Sequence, residues 1–172
     1  MTAKIALIAS AALLASGVAF AADGQTDPQI AHIAYTAGSL DIEAGKLALR
    51  KSKNASVREF ASEMVRDHAA VNEKALALVT KLGVTPEPNA TSEGLTKQAD
   101  ETRAKLAKLN GKAFDRAYVA NEVAYHNTVN GALKTALIPS ADNGELKALL
   151  ETGLTLFSEH QKHAEHLSAS LK

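Results

Sequence analysis

The chain has 172 residues, 19 Lys and Arg against 19 Asp and Glu, and no cysteine. It is long enough for one domain with a substantial core. The balanced charge speaks against nucleic acid as a partner, and the missing thiols exclude disulfides and thiolate metal ligands. Trp is absent, aromatics are few, and Ala, Leu, Lys and Glu dominate, which is helical composition.

The first 21 residues read as a secretory signal. Lys4 precedes an unbroken small-apolar run, Ile5–Leu14, and Ala19-Phe20-Ala21 forms an A-x-A cleavage pattern. The run falls short of the roughly 20 strongly apolar residues of a spanning helix. No Cys follows it to carry a lipid. The expected mature protein, residues 22–172, is a single domain of net charge −1, exported to the periplasm or beyond, with no integral membrane segment once the signal is removed.

Four long helices are predicted over the rest of the chain. The first starts at Asp27-Pro28, an N-cap and a proline at the first helical position. Ile30, Ile33, Ala37, Leu40, Ala44 and Leu47 recur at three-four spacing, and the helix closes on the basic residues Lys51–Lys53. The second opens on Ser56-Val57-Arg58-Glu59 as a capping box. Its stripe is Val57, Ala61, Met64, His68, Val71, Ala75, Leu78 and Leu82, and Gly83 is its C-cap. A Pro-rich connector at 84–94 leads to a shorter linking helix over 95–109, which Asn110-Gly111 breaks. The third long helix spans 112–137. Pro139 to Gly144 is read as a turn, with Asp142 and Glu145 as a second capping box, and the fourth helix carries Leu146, Leu150, Gly153, Phe157, His160, Ala164, Leu167 and Leu171. The connection between helices 2 and 3 is long enough to cross the bundle. The expected fold is therefore all-α, a ferritin-like four-helix bundle with a linking helix between helices 2 and 3; a simple up-down-up-down bundle is the alternative.

All four stripes carry, or closely flank, polar residues. FDRAYVANEVAYH, residues 114–126, stacks Asp115, Tyr118, Glu122 and His126 on the face that continues as Val129 and Leu133. His68 and His160 lie within apolar stripes, and Glu43 flanks Leu40 and Ala44. Counted from the hairpin turns, Glu43, His68, Glu122 and His160 fall near one level at mid-bundle. Buried carboxylates and imidazoles need partners. Glu43, His68, Glu122, His126 and His160 are therefore the candidate metal ligands, for a single Fe, Zn, Cu or Mn ion. A metal-free hydrogen-bonded polar core is the close alternative. Asp67 flanks the same core. Tyr118 and Asp115 stand either as hydrogen-bond partners of the ligands or as a core residue and a helix N-terminal charge. His163 sits on the stripe's edge and is taken as solvated; His32 and His166 are taken as exposed, and Glu159 as facing away.

Three segments carry a family resemblance: GKLALRKSKNASVREFASEMVRDHAAVNEKALAL, LNGKAFDRAYVANEVAYHNTVNGAL and the late EHQKHAEHL. Together they resemble the bacterial family named domain of unknown function 4142, over nearly all of the expected mature chain. The resemblance implies an exported, ferritin-like helical domain and no particular reaction. The similarity to ferritin-like diiron proteins is more partial. Glu43 and Glu122 match the single-Glu positions and His68 and His160 the His positions, but Val65 and Phe157 stand where two further carboxylates belong. The expected function is a non-catalytic metal-binding or stress-related exported protein. A metal-dependent oxidoreductase and a structural bundle with a metal-free core are the alternatives.

Overall fold

A computed structural model describes residues 24–171, and the expected signal segment lies outside them. The described residues are all helical apart from the short connections. The helices are α1 (Asp27–Lys51), α2 (Ala55–Leu82), α3 (Ala90–Ala107), α4 (Gly111–Ala132), the short α5 (Ile138–Ser140) and α6 (Gly144–Ser170), with a π-helical turn Leu133–Leu137 between α4 and α5. No described helix is long and apolar enough to cross a membrane.

The helix ends differ from the sequence reading by up to five residues, and at the starts of α1, α2, α3 and α6 a better cap wins. Thr26, not Asp27, caps α1, with Gln29 reaching back to the Thr26 N–H at 3.2 Å. Asn54 caps α2 by accepting from Ser56 and Val57, and Asn143 caps α6 by accepting from Glu145 and Leu146. Asn89 caps α3 five residues earlier than expected. Asp27 is freed for a longer reach. Its two carboxylate oxygens accept from Asp142 N and Asn143 N at 3.0 and 2.8 Å, tying the start of α1 to the start of α6. The expected turn from Pro139 begins two residues later. Pro139 has no N–H to return to the preceding turn, and the Ile138 N–H reaches back five residues to the Leu133 carbonyl, so the helix widens into a π-turn and continues to Ser140.

The direction of each helix follows from its end contacts. The start of α1 lies beside the loop before α6, and Lys81 at the end of α2 pairs with Glu145 at the start of α6. At the other end, Lys51 Nζ donates to the Ala107 carbonyl and lies 5.9 Å from the Phe114 ring centroid. So α1 and α6 run one way, and α2 and α4 run the other. The connection from Gly83 to Asn110 crosses the full length of the molecule as α3, which starts where Asn89 meets Gln29 and ends beside Lys51.

The apolar core comes in two parts. One gathers Ile30, Ile33, Ala37, Leu40, Val129, Leu133, Leu146, Leu150 and Phe157; the other gathers Ala44, Leu47, Val57, Phe60, Met64, Phe114, Tyr118, Val119, Ala164 and Leu167. Between them runs a polar layer: Asp41, His68, Glu122, His126 and His160, each at most 3% exposed. The helices are held close on either side of it. A Cβ added at Gly45 would lie 2.9 Å from Val65 Cγ2 and 3.0 Å from the Ala61 carbonyl oxygen, whereas one at Gly131 would meet nothing within 4 Å. Gly45→Ala is expected to cost about 1–3 kcal/mol through overpacking against a backbone that cannot yield. Gly131→Ala, in an open helical position, is expected to gain up to about 1 kcal/mol. Urea unfolding of the two variants checks both signs.

Candidate metal centre

The polar layer is assembled by four helices. α1 supplies Asp41, α2 His68, α4 Glu122 and His126, and α6 His160. Three imidazoles meet at its centre. The ring centroids lie 5.7 Å apart for His68–His126, 5.4 Å for His68–His160 and 5.6 Å for His126–His160. One nitrogen from each falls within 4.8 Å of the other two, and Asp41, Glu122 and His126 form a second such group. Phe157 stacks on His68 at 4.5 Å between centroids and 11° between planes, which fixes that ring's tilt.

Of the five sequence-predicted ligands, the structure brings together His68, Glu122, His126 and His160. Glu43 is corrected. It sits on the exposed face of α1 and pairs with Lys46 at 2.9 Å, with half of its side chain in solvent. Asp41, two residues earlier, takes its place. Its Oδ2 lies 2.8 Å from His68 Nε2 and 3.4 Å from His126 Nε2. The signal was present in the sequence. At about 100° per residue, Asp41 lies within about 60° of both Ala37 and Ala44 on the buried face, whereas Glu43 points about 100° away from Ala44.

The other polar residues take different places. Asp67, half-buried, lies 3.1 Å from His160 Nε2 through Oδ2 and is forked by Arg66 at 2.7 and 3.0 Å. Tyr118 and Asp115 are both buried, with the Tyr118 hydroxyl lacking a hydrogen-bond partner. His163 is exposed and pairs with Glu63 at 2.8 Å, and His166 and Glu159 are exposed. His32 is half-buried rather than exposed, its Nδ1 3.4 Å from the Thr36 hydroxyl.

Burial and charge set the protonation of the layer. Burial pushes the Asp41 carboxyl up, but the neighbouring His68 and His126 and a hydrogen bond from Glu122 together hold it well below the usual carboxylate range. Glu122 goes the other way: burial raises it well above its ordinary value, and the Asp41 charge beside it raises it further. Two carboxyls this close do not both ionise, so Asp41 carries the charge and Glu122 the proton. Burial lowers His126, partly offset by Asp41, and lowers His160, partly offset by the hydrogen bond to Asp67. Tyr118 and Tyr125 are raised chiefly by burial and further by the acidic pair beside them. The lowering of His126 and His160 and the charge on Asp41 favour the forms in which imidazole and carboxylate bind metal.

The layer is also under-satisfied from within. Both Asp41 oxygens, both His68 nitrogens, His126 Nε2, His160 Nδ1 and Glu122 Oε2 are buried without a well-formed hydrogen bond. His126 Nδ1 is fixed, 3.0 Å from the Glu122 carbonyl, which requires it to donate and leaves Nε2 as the lone-pair nitrogen. Buried polar atoms without partners are rare, and such a concentration at one level fits a group that accepts several lone pairs at once.

An all-helical bundle divided by a histidine-rich polar layer is thus what fold and site define. The chain belongs to the family described as domain of unknown function (DUF4142), which it matches over residues 14–167. No curated protein sequence matches it. In structure it is similar to a protein described as secreted, of the DUF305 family, from Streptomyces coelicolor. The TM-score is 0.70 at 13% identity, over 83% of this chain and 91% of that one, a likeness of fold.

The proton on Glu122 has a measurable consequence. A carboxyl raised in the folded state keeps its proton where the unfolded chain has released it. Its contribution to stability is therefore full below the ordinary Glu value and is lost as pH rises toward the folded one. Glu122→Gln mimics the protonated form at every pH. In chelator-treated protein the stability of Glu122→Gln relative to wild type is expected to rise from pH 5 to pH 8. Equal relative stability at the two pH values in urea unfolding would show Glu122 to be an ordinary carboxylate.

Proposed function

We propose that this protein is an exported, ferritin-like metal-binding bundle that holds one first-row transition ion in its polar layer and carries out no catalysis with it. The observation that carries the reading is the convergence of three buried imidazoles beside an Asp41–Glu122 pair with so many lone pairs and N–H groups unmatched. His68, His126 and His160 would supply the nitrogens and Asp41 the anionic oxygen, with Glu122 as a further oxygen once it loses its proton. Nitrogen-rich sets with one or two carboxylates suit Zn, Cu, Fe or Mn. Two facts support the ferritin-like assignment: α3 crosses the whole length of the bundle, and α2 and α4 run parallel. Two facts support a binding role over oxygen chemistry. Val65 and Phe157 occupy the positions where a diiron pair would have two more carboxylates, and Phe157 is committed to stacking on His68. The likeness in fold to a secreted protein and the absence of a membrane-spanning helix among the described residues accord with export.

A metal-free structural core is the second reading, favoured by the 2.8 Å contact between Asp41 and His68, which pairs two of the groups without an ion. Thermal melting separates the two. A ligand that binds only the folded chain at a hundredfold its Kd adds about 2.7 kcal/mol, a rise of about 5–10 °C for a domain of this size. Wild type is expected to show that rise with at least one of Zn, Cu, Fe and Mn, at one ion per chain in untagged protein. Asp41→Asn and His68→Ala are expected to lose it, and Glu43→Gln and His166→Ala to retain it. A melting temperature indifferent to all four metals leaves the structural reading.

A further inference from the structure

The polar layer is sealed on most sides, so a metal needs a way in. Two faces come close to it. On the α2–α6 face, half-buried Asp67 stands between solvent and the buried His160 and forms a third possible ligand group with His160 and Glu63, but Arg66 pairs with Asp67 and His163 with Glu63. That face is stoppered by ion pairs. On the opposite side a cleft of about 370 Å³ lies among α1, α3 and α4, and both Asp41 and Glu122 line it.

The cleft owes its existence to side-chain size and to the way α3 is pinned. Its walls carry Ala44 from α1, Ala99 from α3, and Ala117 and Ala120 from α4. α3 is anchored at its start by the buried Thr91, Ser92 and Leu95 and at its end by Leu106 and the Lys51–Ala107 hydrogen bond. Between Leu95 and Leu106 no residue of α3 is fully buried. The helix therefore spans a hollow as a strap held at both ends. The hollow has polar groups on its way down, Thr102 and Asn121, and charged ones on its wall, Glu101, the exposed Lys105 and Arg103, the last paired with Asp100 at 2.5 Å; the Asn121 amide donates to Glu122 Oε1 at 3.4 Å. At its floor, both oxygens of the fully buried Asp41 and Glu122 Oε2 lack a well-formed hydrogen bond.

We propose that the cleft beneath α3 is a cation-loading site: a hydrated divalent ion first binds there, on Asp41 and Glu122, and passes from there to the imidazoles. The loading site rests on the polar layer being a metal centre. The chemistry is that of a hard, hydrated ion. Carboxylate oxygens accept such an ion before its water is shed, and imidazole nitrogens take it over as it dehydrates. His126 belongs to the three-imidazole group and to the Asp41–Glu122 group, and so links the two stages.

Stopped-flow mixing of the metal-free full-length domain with Co(II), followed by its visible absorption, tests this. Ala99→Phe narrows the cleft from the strap and Ala120→Phe from the facing wall, so the proposal does not hang on one variant folding. Either plug is expected to slow Co(II) uptake tenfold or more while leaving the equilibrium affinity within threefold. Glu63→Gln and His163→Ala, on the stoppered face, are expected to leave the rate unchanged. Unaltered uptake in both plugged variants, or slowing confined to the Glu63 and His163 variants, would overturn the cleft as the loading site while leaving the metal centre in place. Wild type that never acquires Co(II) absorption would remove the metal centre itself, and the loading site with it.

Discussion

The structure turns on one carboxylate placed where none can stand alone. Asp41 is wholly buried on α1, between the two halves of an apolar core, and it holds its charge because His68 and His126 face it and Glu122 keeps a proton beside it. An isolated buried anion costs several kcal/mol even after relaxation. The four helices are therefore tied to one another at this level by partners that cannot be exchanged one at a time. Each of α2, α4 and α6 carries a buried histidine at the same height, joined on α4 by Glu122. Sliding any helix by one turn would set Asp41 against hydrocarbon and leave an imidazole unpaired. The polar layer fixes the register of the bundle whether or not an ion occupies it.

The same layer explains features that look unrelated. Gly45 and Gly38 bring α1 close to α2 on either side of Asp41; the second leaves space for Asn72, which donates to the Tyr35 carbonyl and the Ser39 hydroxyl. Tyr125 donates to the Ala37 carbonyl across the α1–α4 contact at 2.8 Å. α3, by contrast, packs mainly at its ends. The crossover that makes α2 and α4 parallel also lays a helix over the one side of the layer that four helices leave thinly covered. Topology, rather than any single residue, thus puts a cleft beside the carboxylates.

Much of this was legible in the sequence, and the rest was not for physical reasons. Three-four periodicity placed the long helices, because each buries one face. The long connection between α2 and α4 implied a crossover, because a simple hairpin does not need that length. The histidines stood out as imidazoles inside apolar stripes. Asp41 and Glu43 lie two residues apart on α1, and only the helical angle separates the buried one from the exposed one. Caps moved by a residue or two where Asn54 and Asn143 outcompeted nearby Ser and Asp, a choice of about 1 kcal/mol that spacing alone does not rank. The π-turn before Pro139 and the hollow under α3 depend on how neighbouring helices pack, and no local pattern encodes them.

The central claim is that three particular histidines of the six in the chain share one ion. Nitrogen-15 NMR of histidine-labelled protein titrated with Zn(II) reads each ring separately. One ring nitrogen in each of His68, His126 and His160 is expected to shift together, reaching saturation at one equivalent, while His32, His163 and His166 stay in place. Movement of His163 or His166 with the three buried rings unchanged would contradict it.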